Sequence, residues 1–325
     1  ALSSAKQPSR SSANSSVPKS IGGRAMARST RSGMLVGPGF CVKSRPLIRR
    51  TVAAASSVPC PIIRHDRSVR ITTWNVNSIR TRIDRVTDWL ATNGPDVLLL
   101  QETKCTNDDF PSESFTDLGY EVVHHGRDHW NGVAIISKVG VENVRRGFPG
   151  RQRAPFDEAR LISATCAGVD VHSLYAPNGR ELDDPHYLFK LVWLERLRGA
   201  LDPSMPTVAA GDFNVAPTDL DIYDPKRWKR RTHASLQERE AIQSLLDCGL
   251  RDVTREHHPG PDVYTWWGYR PGMFESNRGL RIDLALCSSD ISDSVTNVSI
   301  DRAERAGSHP SDHTPVTVDF SWHGK

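Results

Sequence analysis

Residues 209–217 read AAGDFNVAP, a run of small apolar residues that closes on Asp212 and Asn214, two positions apart. In an extended strand, side chains at i and i+2 share a side, so this carboxylate and this carboxamide would project together while Phe213 packs the other way. The same D-x-N spacing also suits an Asx-turn, which needs no site at all. Similar polar residues close or interrupt the other apolar runs: Asn75 and Asn77 after ITTW, Glu102 after VLLLQ, Tyr175 and Asn178 after VHSL, Asp283 inside RIDLAL, and Asp312 with His313 before TPVTV. One such group is a solvated strand end or a turn cap. Six of them imply strand ends that converge, as ligand sites in α/β sheets do.

The residue types restrict the chemistry. Glu102, Asp212, Asp283 and Asp312 crowded together would repel unless a proton or cation intervened, and a set of oxygen donors suits a hard divalent ion, magnesium first and manganese as the alternative. No paired Cys points to zinc. There is no phosphate-binding G-x-x-x-x-G-K-[ST] loop, and no G-x-S-x-G elbow for a nucleophilic serine. What remains is attack by water on a phosphate ester, assisted by a metal.

These residues need elements to carry them. VRITTWNVN reads as a strand, followed by a helix with Ile79, Ile83, Val86 and Leu90 at helical spacing and a stop at Gly94-Pro95. VLLLQE and GVAIIS are continuous apolar runs, the pattern of strands covered on both faces. ARLISATC and VDVHSLYAP read as a hairpin turning at Ala167-Gly168. Leu188, Leu191, Leu194, Leu197 and Leu201 are expected to form one stripe of the next helix. Ser235 with Glu238 forms a capping box for a later helix ending near Gly249, and RIDLALC and TPVTVDF close the chain as strands.

Composition bounds the rest. The 325 residues suffice for a large α/β core, and no apolar run reaches the roughly 20 residues that span a bilayer. Six scattered cysteines form no framework, which fits a reducing compartment. Of the 42 Lys and Arg, 11 lie in residues 1–65, which contain no Asp or Glu, so the remainder carries 31 basic against 38 acidic side chains, a net of −7. The first 65 residues are therefore expected to be a disordered basic leader, and residues 66–325 the catalytic domain. The leader reads equally as an organellar transit peptide, as a segment upstream of an internal start at Met26 or Met34, or as a basic nucleic-acid-binding tail.

WNVNSIRTR, LLLQETK, SLYAPNGRE, GDFNVAPTDLD, NRGLRIDLAL and PSDHTPV, in that order, resemble the bacterial exonuclease III family of abasic-site endonucleases, within the endonuclease/exonuclease/phosphatase superfamily. The resemblance runs from about Val69 to Phe320. It implies a four-layered α/β sandwich of two mixed sheets flanked by helices, acting as a monomer without a membrane. It also implies a cytoplasmic, nucleoid-associated enzyme, or an imported one if the leader is a transit peptide. The implied activity is magnesium-dependent hydrolysis of double-stranded DNA 5′ to abasic sites, with 3′–5′ exonuclease and removal of blocked 3′ ends.

Carried over by position, Glu102 is the principal metal ligand, with Asp312 and Asn75 nearby. Asp212 handles the attacking water, Asn214 helps hold water or phosphate, and Tyr175 contacts phosphate. Asp283 orients His313, whose role as phosphate donor or as base stays open. Asn77 stands where some members carry an aspartate ligand, so one metal is expected. Trp266, Leu280 and Ile282 are expected to wall an abasic-sugar pocket, with Trp267 beside them or in the core. KRWKRR, comprising Lys226, Arg227, Trp228, Lys229, Arg230 and Arg231, is either a DNA-contacting loop or a solvated charge run, and residues 145–153 a weaker second patch. Two other functions compete: a phosphatase of small molecules or phospholipid headgroups, and a nucleic-acid-binding regulator without catalysis.

Overall fold

A computed structural model of the chain describes residues 67–150 and 153–323; the leader lies outside them, as do two residues of the second basic patch. In chain order the first half contains β1 (Arg67–Asn75), α1 (Ile79–Asn93), β2 (Val97–Gln101), α2 (Ser112–Thr116), β3 (Glu121–His125), β4 (Val133–Ser137), β5 (Glu142–Arg146), β6 (Leu161–Cys166) and β7 (Val169–Tyr175). The second contains α3 (Pro185–Ala200), β8 (Thr207–Asp212), α4 (Pro225–Trp228), α5 (Leu236–Asp247), β9 (Leu250–Asp252), α6 (Val253–His257), β10 (Asp283–Ser288), α7 (Ser289–Ser292), β11 (Val295–Ile300) and β12 (Val316–Trp322). They build two six-stranded sheets, ordered β11-β12-β1-β2-β4-β3 and β5-β6-β7-β8-β10-β9.

Each sheet has one parallel pair at its centre, β1 with β2 and β7 with β8, and antiparallel neighbours beside it. A parallel pair needs a long crossover, and α1 and α3 supply it. The segments β1-α1-β2-β3-β4 and β7-α3-β8-β9-β10 thus share one order of connection.

Alternation along the strands explains why β2 is buried at all five positions. Val97 and Leu99 face the second sheet, packing among Ile71, Ile135, Val171 and Val208. Leu98 and Leu100 face outward onto Val86 and Leu90 of α1. The second sheet is covered in the same way, with Leu174, Ala209 and Leu284 against Trp193, Leu194 and Leu197 of α3 and Ile242 of α5. Helix, sheet, sheet and helix stack as the four layers expected. The β6–β7 hairpin turns through Ala167 and Gly168, both at positive φ, the geometry that matches strand twist.

The leucine stripe of α3 needs correction. Leu188 is 65% exposed, while Tyr187, Lys190, Leu194 and Leu197 are buried. Steps of three residues advance 300° and drift by 60° each, so a leucine at every third position walks around the helix. No helix among the described residues is long and apolar enough to cross a membrane.

Candidate active site

The two parallel pairs end at one rim. Asn75 closes β1, Glu102 follows β2, Tyr175 closes β7 and Asp212 closes β8, while Asp283 opens the antiparallel β10 directly opposite Asp212. Just past the strand ends the backbone turns through left-handed residues: Asn77 and Ser78, Glu102 and Lys104, and Asn214. Such conformations are costly for non-glycine residues and cluster where side chains must be aimed.

Asn75 is fully buried and joins the two halves of the rim. Its Nδ2 donates to Glu102 Oε1 at 2.9 Å and to Asp212 Oδ2 at 3.0 Å, while its Oδ1 accepts the Asn77 N–H at 3.0 Å. It therefore spaces two carboxylates. Glu102 Oε2 meets the Lys104 ammonium at 2.7 Å. Asp312 accepts from Asn77 Nδ2 and Trp266 Nε1, each at 2.9 Å.

Asp212 realises both of the meanings open to D-x-N. Its Oδ1 accepts the Asn214 N–H at 2.8 Å, the Asx-turn, yet Asp212 and Asn214 also line one cavity. The Asn214 amide is not idle there. Its Nδ2 donates to Ala176 O at 3.0 Å, and its Oδ1 faces Asn178 Nδ2 at 3.3 Å and His233 Nε2 at 3.0 Å.

His313 Nδ1 lies 2.8 Å from Asp283 Oδ2, and its Nε2 lies 3.7 Å from Asp212 Oδ2. Thr265 Oγ1 donates to the same Asp283 oxygen at 2.6 Å, while Asp283 Oδ1 is buried without a partner. A buried carboxylate oxygen without a partner needs a reason, and a catalytic role is one. Burial works against charge on His313, yet Asp283 and Asp212 outweigh it and raise the imidazole to about 10. Burial also pushes the Asp212 carboxyl up to about 7, helped by Asp283 and Glu102 against the pull of His313. The Tyr175 phenol is driven well above its ordinary value by burial and by Glu102. Near neutral pH the rim thus holds an imidazolium, a protonated phenol and a carboxylate poised to exchange a proton.

Glu102, Asp212 and His313 each offer a ligand atom within 4.8 Å of the others. Carboxylate oxygens predominate, no thiolate is among them, and a lysine ammonium already seats on Glu102, so a hard cation fits the donor set.

The cavity over these groups measures about 180 Å³ and is walled by Trp266, Leu280 and Ile282. His233 forms part of its wall and was not among the expected site residues. It is held neutral, with burial and then Lys190 lowering it to about 3. Behind it Lys190, fully buried, donates to Asn214 O at 2.6 Å and to Glu238 Oε1 at 2.5 Å, and that carboxylate also accepts the His233 N–H at 2.9 Å. The capping-box glutamate of α5 thereby fixes the loop that carries His233. Its S-x-x-E spacing gave the cap and nothing about Lys190.

Of the two places open to Trp267, the structure gives the core: it is 1% exposed and packs edge-on against Tyr264 and Phe274, so the expectation that it also contacts DNA is corrected. Trp266 is half-buried at the cavity mouth. Lys226, Arg227, Lys229, Arg230 and Arg231 are exposed, and Trp228 is half-buried at the end of the single-turn α4.

The profile described as the endonuclease/exonuclease/phosphatase family matches residues 72–313. Exodeoxyribonuclease III of Haemophilus influenzae is 33% identical over 271 residues, covering 78% of this chain and 100% of its own. The structure of an AP endonuclease from Archaeoglobus fulgidus superposes with a TM-score of 0.75 at 38% identity, covering 78% of this chain and 99% of that one. That of the 3′ phosphatase NExo from Neisseria, bound to a product DNA hairpin, gives a TM-score of 0.76 at 41% identity, covering 78% and 100%.

Proposed function

Because this chain belongs to the endonuclease/exonuclease/phosphatase family, we propose that it is a DNA repair nuclease whose rim hydrolyses phosphodiesters 5′ to abasic sites and trims blocked 3′ ends. The observation that carries the reading is the joining of Asn75, Glu102, Asp212 and the Asp283–His313 pair over one small cavity beside exposed basic residues. In this reading Asp212, raised toward neutrality, orients the attacking water and takes its proton. His313, protonated and held by Asp283, donates to a non-bridging phosphate oxygen instead of acting as base. Tyr175 keeps its proton and donates beside it. Glu102 and Asp312 would hold one magnesium ion, with manganese a substitute, and Asn75 fixes Glu102 against Asp212. Such an ion supplies Lewis-acid polarisation of the phosphoryl group when bound.

An abasic sugar can leave the helix and enter a compact pocket that a whole nucleotide would overfill. Trp266, Leu280 and Ile282 are the proposed walls. His233 takes part of the same space, which favours 3′-end trimming as the faster reaction, since a terminal 3′-phosphate needs no flipped sugar.

The test compares three duplexes, one with a single abasic analogue, one with a 3′-phosphate and one undamaged, each with magnesium and with chelator. Incision of the abasic duplex and release of the 3′-phosphate, each only with magnesium and each faster than the shortening of the undamaged duplex from its 3′ ends, is the expected result. Equal cutting of undamaged duplex, or full activity in chelator, would overturn the reading. Turnover of small phosphoesters alone would pass it to the phosphatase alternative.

A further inference from the structure

A second hollow, of about 430 Å³, shares Trp266 with the catalytic cavity. Its walls are aromatic, Tyr223, Trp228 and Tyr269, with Met273 among them. Arg227, Arg231, Arg270 and Arg278 stand around it, all exposed. Trp266 lines both hollows, so they share a wall.

Many guanidinium groups of the fold are neutralised, as Arg70 is on Asp319, Arg85 on Glu304, Arg145 on Asp170 and Arg251 on Glu256 and Asp293. Others, such as Arg82, Arg302 and Arg305, spend their donors on backbone carbonyls instead, and none of these three lines the hollow. Among the described residues, no carboxylate lies within ion-pair distance of any of the four around the hollow. Arg231 instead lies 5.9 Å from the Trp228 ring centroid, and the Arg278 guanidinium donates to Gly272 O at 3.3 Å. Gathering like charges without counter-charges costs the isolated protein through repulsion and returns nothing in stability. Such an arrangement makes sense for a ligand that brings negative charge. The aromatic walls add a second requirement, a flat π-face, because planar bases stack on such side chains without regard to sequence. The volume falls in the range of small-ligand pockets.

We propose that this hollow is a subsite for one unpaired nucleobase, its flanking phosphates resting on the arginines, next to the nucleotide that is cut. The inference rests on the proposed nuclease function and deepens it. An abasic residue has no base to place here, so the occupant is a neighbouring nucleotide. The enzyme then gains affinity from frayed or single-stranded nucleotides beside the scissile bond.

The probes are a four-residue oligothymidylate and a four-residue chain of tetrahydrofuran abasic units, with equal numbers of phosphates. Binding to the whole protein is followed by fluorescence anisotropy in chelator, where no cleavage occurs. The thymidylate is expected to bind at least about tenfold more tightly. Trp228→Ala and Tyr269→Ala, each checked for an unchanged unfolding transition, should reduce that ratio below about threefold. Arg231→Gln should weaken both oligomers alike. Equal binding of the two oligomers by the wild type, or a ratio that survives both aromatic substitutions, overturns the proposal. Where one variant fails to fold, the other decides. Base-dependent binding without any cutting of damaged duplex would instead sink the nuclease reading and leave the subsite standing.

Discussion

Asp212 accepts hydrogen bonds from the Asn214 backbone and from Asn75 and lies close to His313, so any change of its charge is felt by three partners. Asp212→Asn keeps the shape and removes the group proposed to take the water proton. Turnover should fall by roughly 10² or more while DNA binding survives or tightens, as single-turnover rates and binding isotherms would show. Parallel loss of both would point to misfolding. The sequence displayed Asp212 because carboxylates at strand ends are conspicuous by type. His233 was not conspicuous, since its place depends on Lys190 and Glu238, which are 48 positions apart and meet only in the folded chain. Another histidine, His124, gives a pH prediction. It is buried, stacks on Phe110 at 4.3 Å and bonds Thr103 through Nε2. Burial, then His125 and Arg146, lowers it from 6.5 to about 3. Its folded pKa lies below the unfolded one, so below pH 6.5 the unfolded chain binds the extra proton, and stability is lost progressively as pH falls toward 3. The slope is at most about 1.4 kcal/mol per pH unit for this one group. His124→Gln should flatten the fall of Tm between pH 6.5 and 4.5, and an unchanged slope would assign the effect to other groups.

Strands read from the sequence and strands missed differ by position in the sheet. The eight read are the interior ones; β3, β5, β9 and β11, which were not, are the four sheet edges. An interior strand must bury both faces or one whole face, and so writes an apolar run. An edge strand need not: every residue of β5, ENVRR, is at least partly exposed. The helices that bridge the parallel pairs were legible from their apolar spacing, except where α3's triplet leucines imitate a stripe. Close approach of elements is hidden more deeply, and Gly211 shows why. It lies one residue before Asp212, paired with Leu174 across the parallel β7–β8 contact. A Cβ built there would stand 2.0 Å from the Leu174 carbonyl oxygen, a backbone atom with no freedom to retreat. Gly211→Ala must part the two strands, at roughly 1–3 kcal/mol or more. Since the same pairing sets Tyr175 opposite Asp212, the variant should lose activity together with Tm. Normal turnover in a variant of lowered Tm would show that the rim tolerates the shift.

Across the whole molecule the charge would seem to oppose the proposed substrate, because the chain beyond the leader is acidic, with a net of −7. Net charge acts at a distance that salt screens within about 10 Å, while contact with phosphates is a matter of which cations are free. The fold resolves the conflict by pairing. Acidic side chains engage arginines over much of the surface, as at Arg198 with Glu195 and Arg251 with Asp293, and the loop at residues 226–231 keeps its cations exposed beside the catalytic rim. If Lys229 and Arg230 contact backbone phosphates, replacing both by Gln should weaken binding of an abasic duplex. It should also flatten the dependence of log K on log salt by about one unit per lost contact. Arg198→Gln together with Arg251→Gln removes the same formal charge from sites that already have partners. A protein that bound DNA through its overall field would respond equally to both pairs. Local recognition requires that only the first pair change the slope, and an equal change in both would return the 226–231 loop to an ordinary solvated surface.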